Sequence, residues 1–317
     1  MPNANANHLH LGGNMKKIII FLLLIGISIV FTACNSNINS NTIVASTYPA
    51  YDLTKRIVGD RFVVSQFVPN GQEPHDYEPT AKKIGALYDA KLYVEIGFGF
   101  EIYTNSLPKE IKDKTLTLSD GITPLYSHHS HHHDEEHDHD EEAETVNPHI
   151  WLSIKNAIKM MEAICQKMVE IDGENKDYYE SNFNISSEQF KALDKKYEET
   201  LASRTSSYIA TTHEAFGYLC NDYGLEEIAI MGITNADSPT ASELAKITDE
   251  LKEKKIKVIF GEEGDSSSFA DTIALSLKIK KSSLNTIESL NNNTKDEDYL
   301  SLMEANLAKL KEALCNE

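Results

Sequence analysis

Glu174-Asn175-Lys176-Asp177-Tyr178-Tyr179-Glu180-Ser181-Asn182-Phe183 opens a polar, helix-favouring stretch that runs to Arg204 without a strand signal. Its larger apolar residues include Tyr179, Phe183, Phe190, Leu193, Tyr197 and Leu201. One helix over this stretch would cross about 45 Å at 1.5 Å per residue. Its reading decides the architecture, because the chain on both sides alternates β-branched apolar runs with amphipathic ones. Candidate strands are Thr42–Ser46, Phe62–Val68 and Lys91–Ile96 before it, and Ser207–Thr211, Glu227–Met231, Lys257–Phe260 and Ser283–Ile287 after it. Helical patterns fall between them at Ala50–Val58 and Thr80–Tyr88, and at Thr240 and Glu243, which have capping-box spacing. Alternation of this kind predicts parallel sheets covered by helices. The expected fold is therefore α/β, two lobes, each a parallel sheet flanked by helices, joined by one long connecting helix. A surface helix inside one larger domain is the alternative.

The 317 residues suffice for one large or two medium domains, and the net charge of −19 argues against nucleic acid. That charge suits a cation binder but equally suits plain solubility. Part of it is local, since Asp134 to Glu144 holds eight carboxylates and no Lys or Arg. At the other end, Lys16-Lys17 precedes an apolar run from Ile18 to Phe31, followed by Thr32-Ala33-Cys34. Basic residues, a short apolar segment and small residues before a cleavage point read as a secretory signal. The run is too short to span a bilayer comfortably. Cys34 sits where a bacterial lipobox places its acylated cysteine, although Phe31 replaces the usual Leu. Simple cleavage without lipid is the alternative. The expected division is a leader and signal peptide over 1–33, a lipid-anchored tether over 34–41, an N-terminal lobe over 42–173, the connecting helix over 174–204 and a C-terminal lobe over 205–317. Cys165, Cys220 and Cys315 lack CxxC spacing, so a cysteine metal site is not expected. Cys220 with Cys315 is the first disulfide to test.

Of 12 histidines, His8 and His10 lie upstream of the signal. His128, His129, His131, His132, His133, His137 and His139 crowd into one acidic run, leaving only His75, His149 and His213. A lone histidine is more often structural than a ligand. Position changes the balance. His75 follows the strand Phe62–Val68, His213 follows Ser207–Thr211 and opens the helical pattern Glu214 to Asp222, and Glu288 follows Ser283–Ile287. Open parallel sheets bind ligands beyond the carboxyl ends of their strands. His149 marks the return from the acidic run to structured chain. Imidazoles plus a carboxylate suit Zn²⁺, whereas Ca²⁺ or Mg²⁺ would ask for oxygen. Mn²⁺ and Fe²⁺ stay open, because affinity alone does not secure selectivity.

Four segments occur in order: Pro74-His75-Asp76-Tyr77-Glu78-Pro79, Asn147-Pro148-His149-Ile150-Trp151-Leu152, His213-Glu214-Ala215-Phe216-Gly217-Tyr218 and Tyr299-Leu300-x-Leu302-Met303-x-x-Asn306-Leu307. Together they resemble the zinc/manganese solute-binding lipoproteins of metal ABC importers, over nearly the whole chain from Ile43 to Leu314. The resemblance implies a metal held between two lobes by His75, His149 and His213. The family's last carboxylate usually lies in a Leu-Asp-Pro-Leu setting. Here that place reads Ile287-Glu288-Ser289-Leu290, which assigns Glu288, with Glu262 and Glu263 as alternatives. Histidine at position 213 and the His-rich run both resemble the zinc-binding branch more than the manganese one. An ABC permease as partner, a monomer and an extracytoplasmic location follow as expectations.

The run from His128 to Glu142 has no apolar residue and cannot form a packed core. A mobile loop over 127–144, acting as a low-affinity metal antenna, is expected. Incidental metal binding by a solvated loop is the alternative. Two other functions compete. A zinc hydrolase would be expected to pair ligands as HExxH, which is absent, and an adhesin lipoprotein would need no histidines at strand ends.

Overall fold

The computed structural model describes residues 41–127, 145–234, 239–263 and 269–315. The signal segment, Cys34 and all seven histidines of the acidic run lie outside the described residues. Two four-stranded parallel sheets form. In the first, β1 (Thr42–Ala45), β2 (Val63–Gln66), β3 (Leu92–Glu95) and β4 (Thr115–Thr117) are ordered β2-β1-β3-β4. In the second, β5 (Tyr208–Thr211), β6 (Glu226–Ala229), β7 (Val258–Glu262) and β8 (Lys280–Leu284) repeat the pattern as β6-β5-β7-β8. β1 is buried along its whole length, as a central parallel strand covered on both faces should be. In each sheet the chain steps to one side of the first strand and then crosses to the other. The crevice at that reversal, beyond β1 and β5, is where such sheets place ligands.

Nine helices are found among the described residues: α1 (Tyr48–Val58), α2 (Ala81–Leu87), α3 (Lys109–Lys112), α4 (Ile154–Ile171), α5 (Lys176–Leu201), α6 (Gly217–Tyr223), α7 (Ala241–Glu253), α8 (Phe269–Leu277) and α9 (Tyr299–Leu314). α4 buries Ile154, Ala157, Met160, Met161, Ile164, Cys165 and Met168, the three-four spacing of an amphipathic helix. The long helix, α5, has 26 residues, and so spans roughly 39 Å. It packs against α1 and α4 on one side and α9 on the other. Phe190 stacks on Tyr299 with ring centroids 4.9 Å apart, and the Tyr197 hydroxyl donates to the Met303 carbonyl at 2.6 Å. One apolar core therefore runs from Ile43 and Trp151 through Phe190 to Tyr299 and Leu310. A second, smaller cluster around Ile228, Leu251 and Ile259 supports the far side of the second sheet.

Several expectations shift. β4 was not anticipated; three half-buried residues are too short to show a period. The last strand lies at Lys280–Leu284 rather than Ser283–Ile287, because the buried Asn306 side chain captures the next backbone unit. Its amide oxygen accepts from Asn285 N at 2.8 Å and its amide nitrogen donates to Asn285 O at 2.8 Å, which ends the ladder. The helix after His213 starts at Gly217, not Glu214. There, Ala215 N donates back to His213 O at 2.9 Å, a tight turn that takes the place of a first helical turn. The Thr240–Glu243 capping box is present in both directions. Cys220 and Cys315 do not pair; with Cys165 they are free thiols, and the Cys315 sulfur lies 3.5 Å from Thr200 O.

Candidate metal centre

His75, His149, His213 and Glu288 converge, each offering one donor atom, with those atoms all within 4.8 Å of one another. All four are buried. His75 lies within the loop 67–80 between β2 and α2, and His149 precedes a short 3-10 turn at Ile150–Leu152. His213 follows β5 closely, and Glu288 follows the Asn285–Ile287 bend. His75 Nε2 and His149 Nε2 are 3.3 Å apart, and His149 Nε2 stands 3.1 Å from Glu288 Oε1. His213 Nδ1 faces the same Glu288 oxygen at 3.9 Å. A tetrahedral Zn²⁺ with bonds of 2.0–2.1 Å needs donor atoms about 3.3–3.4 Å apart, so the cluster is close to that spacing.

Tautomers are set from behind. His149 Nδ1–H donates to the Asn147 side-chain oxygen at 2.9 Å, which leaves Nε2 as the inward lone pair. His213 Nε2–H donates to Ile233 O at 2.8 Å and turns Nδ1 inward, buried, towards Glu262 and Glu288. This is the orienting arrangement that metal-binding imidazoles use. Electrostatics separate the two halves of the site. Burial, with the neighbouring His213, pushes the His75 imidazole down to about 3 and holds His149 well below 6.5. For His213 burial works the same way, but Glu262 and Glu288 outweigh it and push the ring up to about 10. Burial, reinforced by Glu262, raises Glu288 well above the usual carboxylate range.

Residues 43–313 match the family described as zinc-uptake complex component A, periplasmic (ZnuA). The chain belongs to this family. It is similar to the high-affinity zinc uptake system protein ZnuA of Bacillus subtilis, at 37% identity over 277 residues, covering 86% of this chain and 87% of that one. It is also 34% identical over 312 residues to the zinc-binding lipoprotein AdcA of Streptococcus pneumoniae. That match covers 96% of this chain but 62% of AdcA. The solved Zn(II)-bound ZnuA-like domain of pneumococcal AdcA shares the fold with a TM-score of 0.73 at 31% identity, covering 87% of this chain and 99% of the domain. These relatives are named as metal-uptake and binding proteins rather than enzymes.

Within this ZnuA-family fold the alternatives to Glu288 separate. Glu263 is turned away, its carboxylate taking Lys309 Nζ at 3.1 Å. Glu262 reaches the margin of the site, 3.4 Å from His213 Nδ1. Residues that aim the donors were not singled out from sequence. Asn147 holds His149 by both its backbone and its ring. Asn147 Nδ2 also donates to Glu214 O, and the Tyr218 hydroxyl accepts from Leu125 N and donates to Asn147 O. Phe100 packs edge-on against His75 with centroids 4.7 Å apart, backed by Trp151, whose indole N–H donates to Thr286 O at 2.7 Å. Ile287 adopts φ 61°, a left-handed conformation costing of order 1–3 kcal/mol for a β-branched residue. Its N–H donates to Asn285 Oδ1, and Asn306 clamps Asn285, so the strain is held where it points Glu288 inward. Asn147 and Asn306 were in the quoted motifs; only their contacts give them a task.

Proposed function

We propose that this chain captures Zn²⁺ outside the cytoplasm and delivers it to an ABC importer, with His75, His149, His213 and Glu288 as the four ligands. The carrying observation is a buried three-imidazole, one-carboxylate cluster whose donor atoms lie near tetrahedral spacing. A catalytic zinc keeps one coordination position for water. Four protein donors fill a tetrahedral shell, which suits storage and hand-over rather than hydrolysis. Imidazole nitrogens favour Zn²⁺ over the harder Mn²⁺. The zinc-binding names of the relatives support the same ion.

The working division follows the ligands. Residues 42–173 supply His75 and His149, residues 205–317 supply His213 and Glu288, and 174–204 joins the two lobes. No helix among the described residues is long and apolar enough to cross a membrane. Attachment is assigned to a lipid on Cys34, in keeping with the lipobox-like Thr32-Ala33-Cys34 and the lipoprotein name of pneumococcal AdcA. The protein acts as a monomer and docks on the importer's permease. Zinc and manganese in direct competition for the metal-free protein, followed by elemental analysis, test the function. One zinc held tightly per chain is expected, and a preference for manganese would overturn the assignment. Release of Cys34→Ala from the cell surface, with loss of fatty-acid labelling, tests the anchor.

A further inference from the structure

His213 Nδ1 faces two carboxylates, and only one of them is an inner ligand. Glu288 is almost closed off, its side chain 4% exposed, and its Oε1 also reaches His149. Glu262 ends β7 with its side chain 21% exposed, and its Oε2 stands 3.4 Å from His213 Nδ1. That separation matches the donor spacing of a tetrahedral zinc shell, about 3.3–3.4 Å. The Thr286 hydroxyl donates to Glu262 Oε1 at 2.7 Å, which fixes the carboxylate with Oε2 towards the histidine.

Glu262 also lines a solvent-facing cleft of about 380 Å³, together with Gly71, Glu73, Glu288 and Ser289. Glu73 lies across this cleft with one oxygen accepting from His75 N at 3.1 Å. The cleft therefore runs from solvent between carboxylates to Glu288, and Glu262 on its wall stands beside the buried His213 ring. A divalent cation sheds its water reluctantly, and stepwise exchange of waters for protein donors avoids baring the ion. A carboxylate at the mouth also concentrates cations there.

We propose that Glu262 is a transfer ligand: it takes zinc from the cleft together with His213, then gives it up to His75, His149 and Glu288, and reverses this on release. The proposal rests on the zinc-capture reading above. It assigns Glu262 to the path of the ion rather than to its resting shell.

Stopped-flow association and chelator-driven dissociation of Zn²⁺, with equilibrium competition on the same preparations, test it in the metal-free mature chain. For Glu262→Gln, association and dissociation should slow together by about tenfold while Kd moves by less than about threefold, the signature of a gating charge. Thr286→Val, which removes the hydrogen bond to Glu262 Oε1, should slow both rates by a smaller factor. Glu288→Gln should instead weaken Kd mainly through faster dissociation. A Kd loss in Glu262→Gln as large as in Glu288→Gln would make Glu262 a resting ligand and overturn the proposal. Unchanged rates in Glu262→Gln would overturn it too. An unaltered Kd in Glu288→Gln, or no tight zinc in the unmodified chain, would instead bring down the zinc-capture reading.

Discussion

The two sheets have the same strand order, yet they equip their share of the site in opposite ways. The first sheet contributes two imidazoles, His75 and His149, which burial keeps neutral and ready to bind. The second contributes His213 and Glu288, with Glu262 beside them, and there the imidazole holds its proton up to about 10. One half is a preformed neutral donor pair; in the other, neighbouring carboxylates hold a proton on the imidazole that the metal must displace. Topology fixes where ligands emerge, whereas neighbouring carboxylates fix what state they wait in.

Alanine at the neutral half should do the greatest damage. His149→Ala is expected to weaken zinc binding by at least about 100-fold, because a direct donor is lost and Glu288 loses its partner. His213→Ala should also bind poorly, but less so at pH 7, because it removes the proton that zinc must displace. Competition titration of both variants checks the order, and a reversed order would break the contrast between the halves.

Acidity gives the next largest effect. Below about 10, His213 carries a proton in the empty protein, so zinc binding releases it. Affinity should therefore fall by about tenfold or more for each unit of pH lowered from 9 to 7. His75 and His149 add nothing in that window, being already neutral. Calorimetry in buffers of different ionisation enthalpy should count at least one proton released per zinc, and His213→Ala should flatten the pH slope.

Smaller effects should come from the residues that aim the donors. Asn306→Ala frees the Asn285–Ile287 bend and lets Glu288 drift, for an expected affinity loss of about 10-fold. Thermal melting of the metal-free variant should also fall, since two buried backbone groups lose their partner at about 1–3 kcal/mol each. The least effect on the tight site should follow deletion of residues 128–142. Weak extra sites should vanish and one tight zinc should stay, as elemental analysis after dialysis would report. Loss of the tight zinc would show that the principal ligands had been misplaced.

Much of this was legible before folding. β1, β3 and β5 read directly as strands, because buried parallel strands are short apolar runs between turn residues. The long helix showed itself by the absence of any strand signal from Glu174 to Arg204. Thr240 and Glu243 announced their helix start by spacing alone. β4 and the true end of β8 were not legible, because one is too short and the other is cut off by Asn306, from a distant helix.

The sequence by itself pointed to the proposed donor set: three histidines stood outside the leader and the acidic run, in motifs tied to a known family. It assigned the carboxylate to Glu288 by motif and kept Glu262 and Glu263 as alternatives, since all three lie at or beyond the ends of second-sheet strands. Only the tertiary structure separates the three carboxylates in space. Lys309 draws Glu263 away, Thr286 holds Glu262 at the rim, and the Asn306-clamped bend at Ile287 turns Glu288 inward. The protonation states were likewise beyond the sequence, because burial and the distance between an imidazole and a carboxylate exist only once the chain has folded.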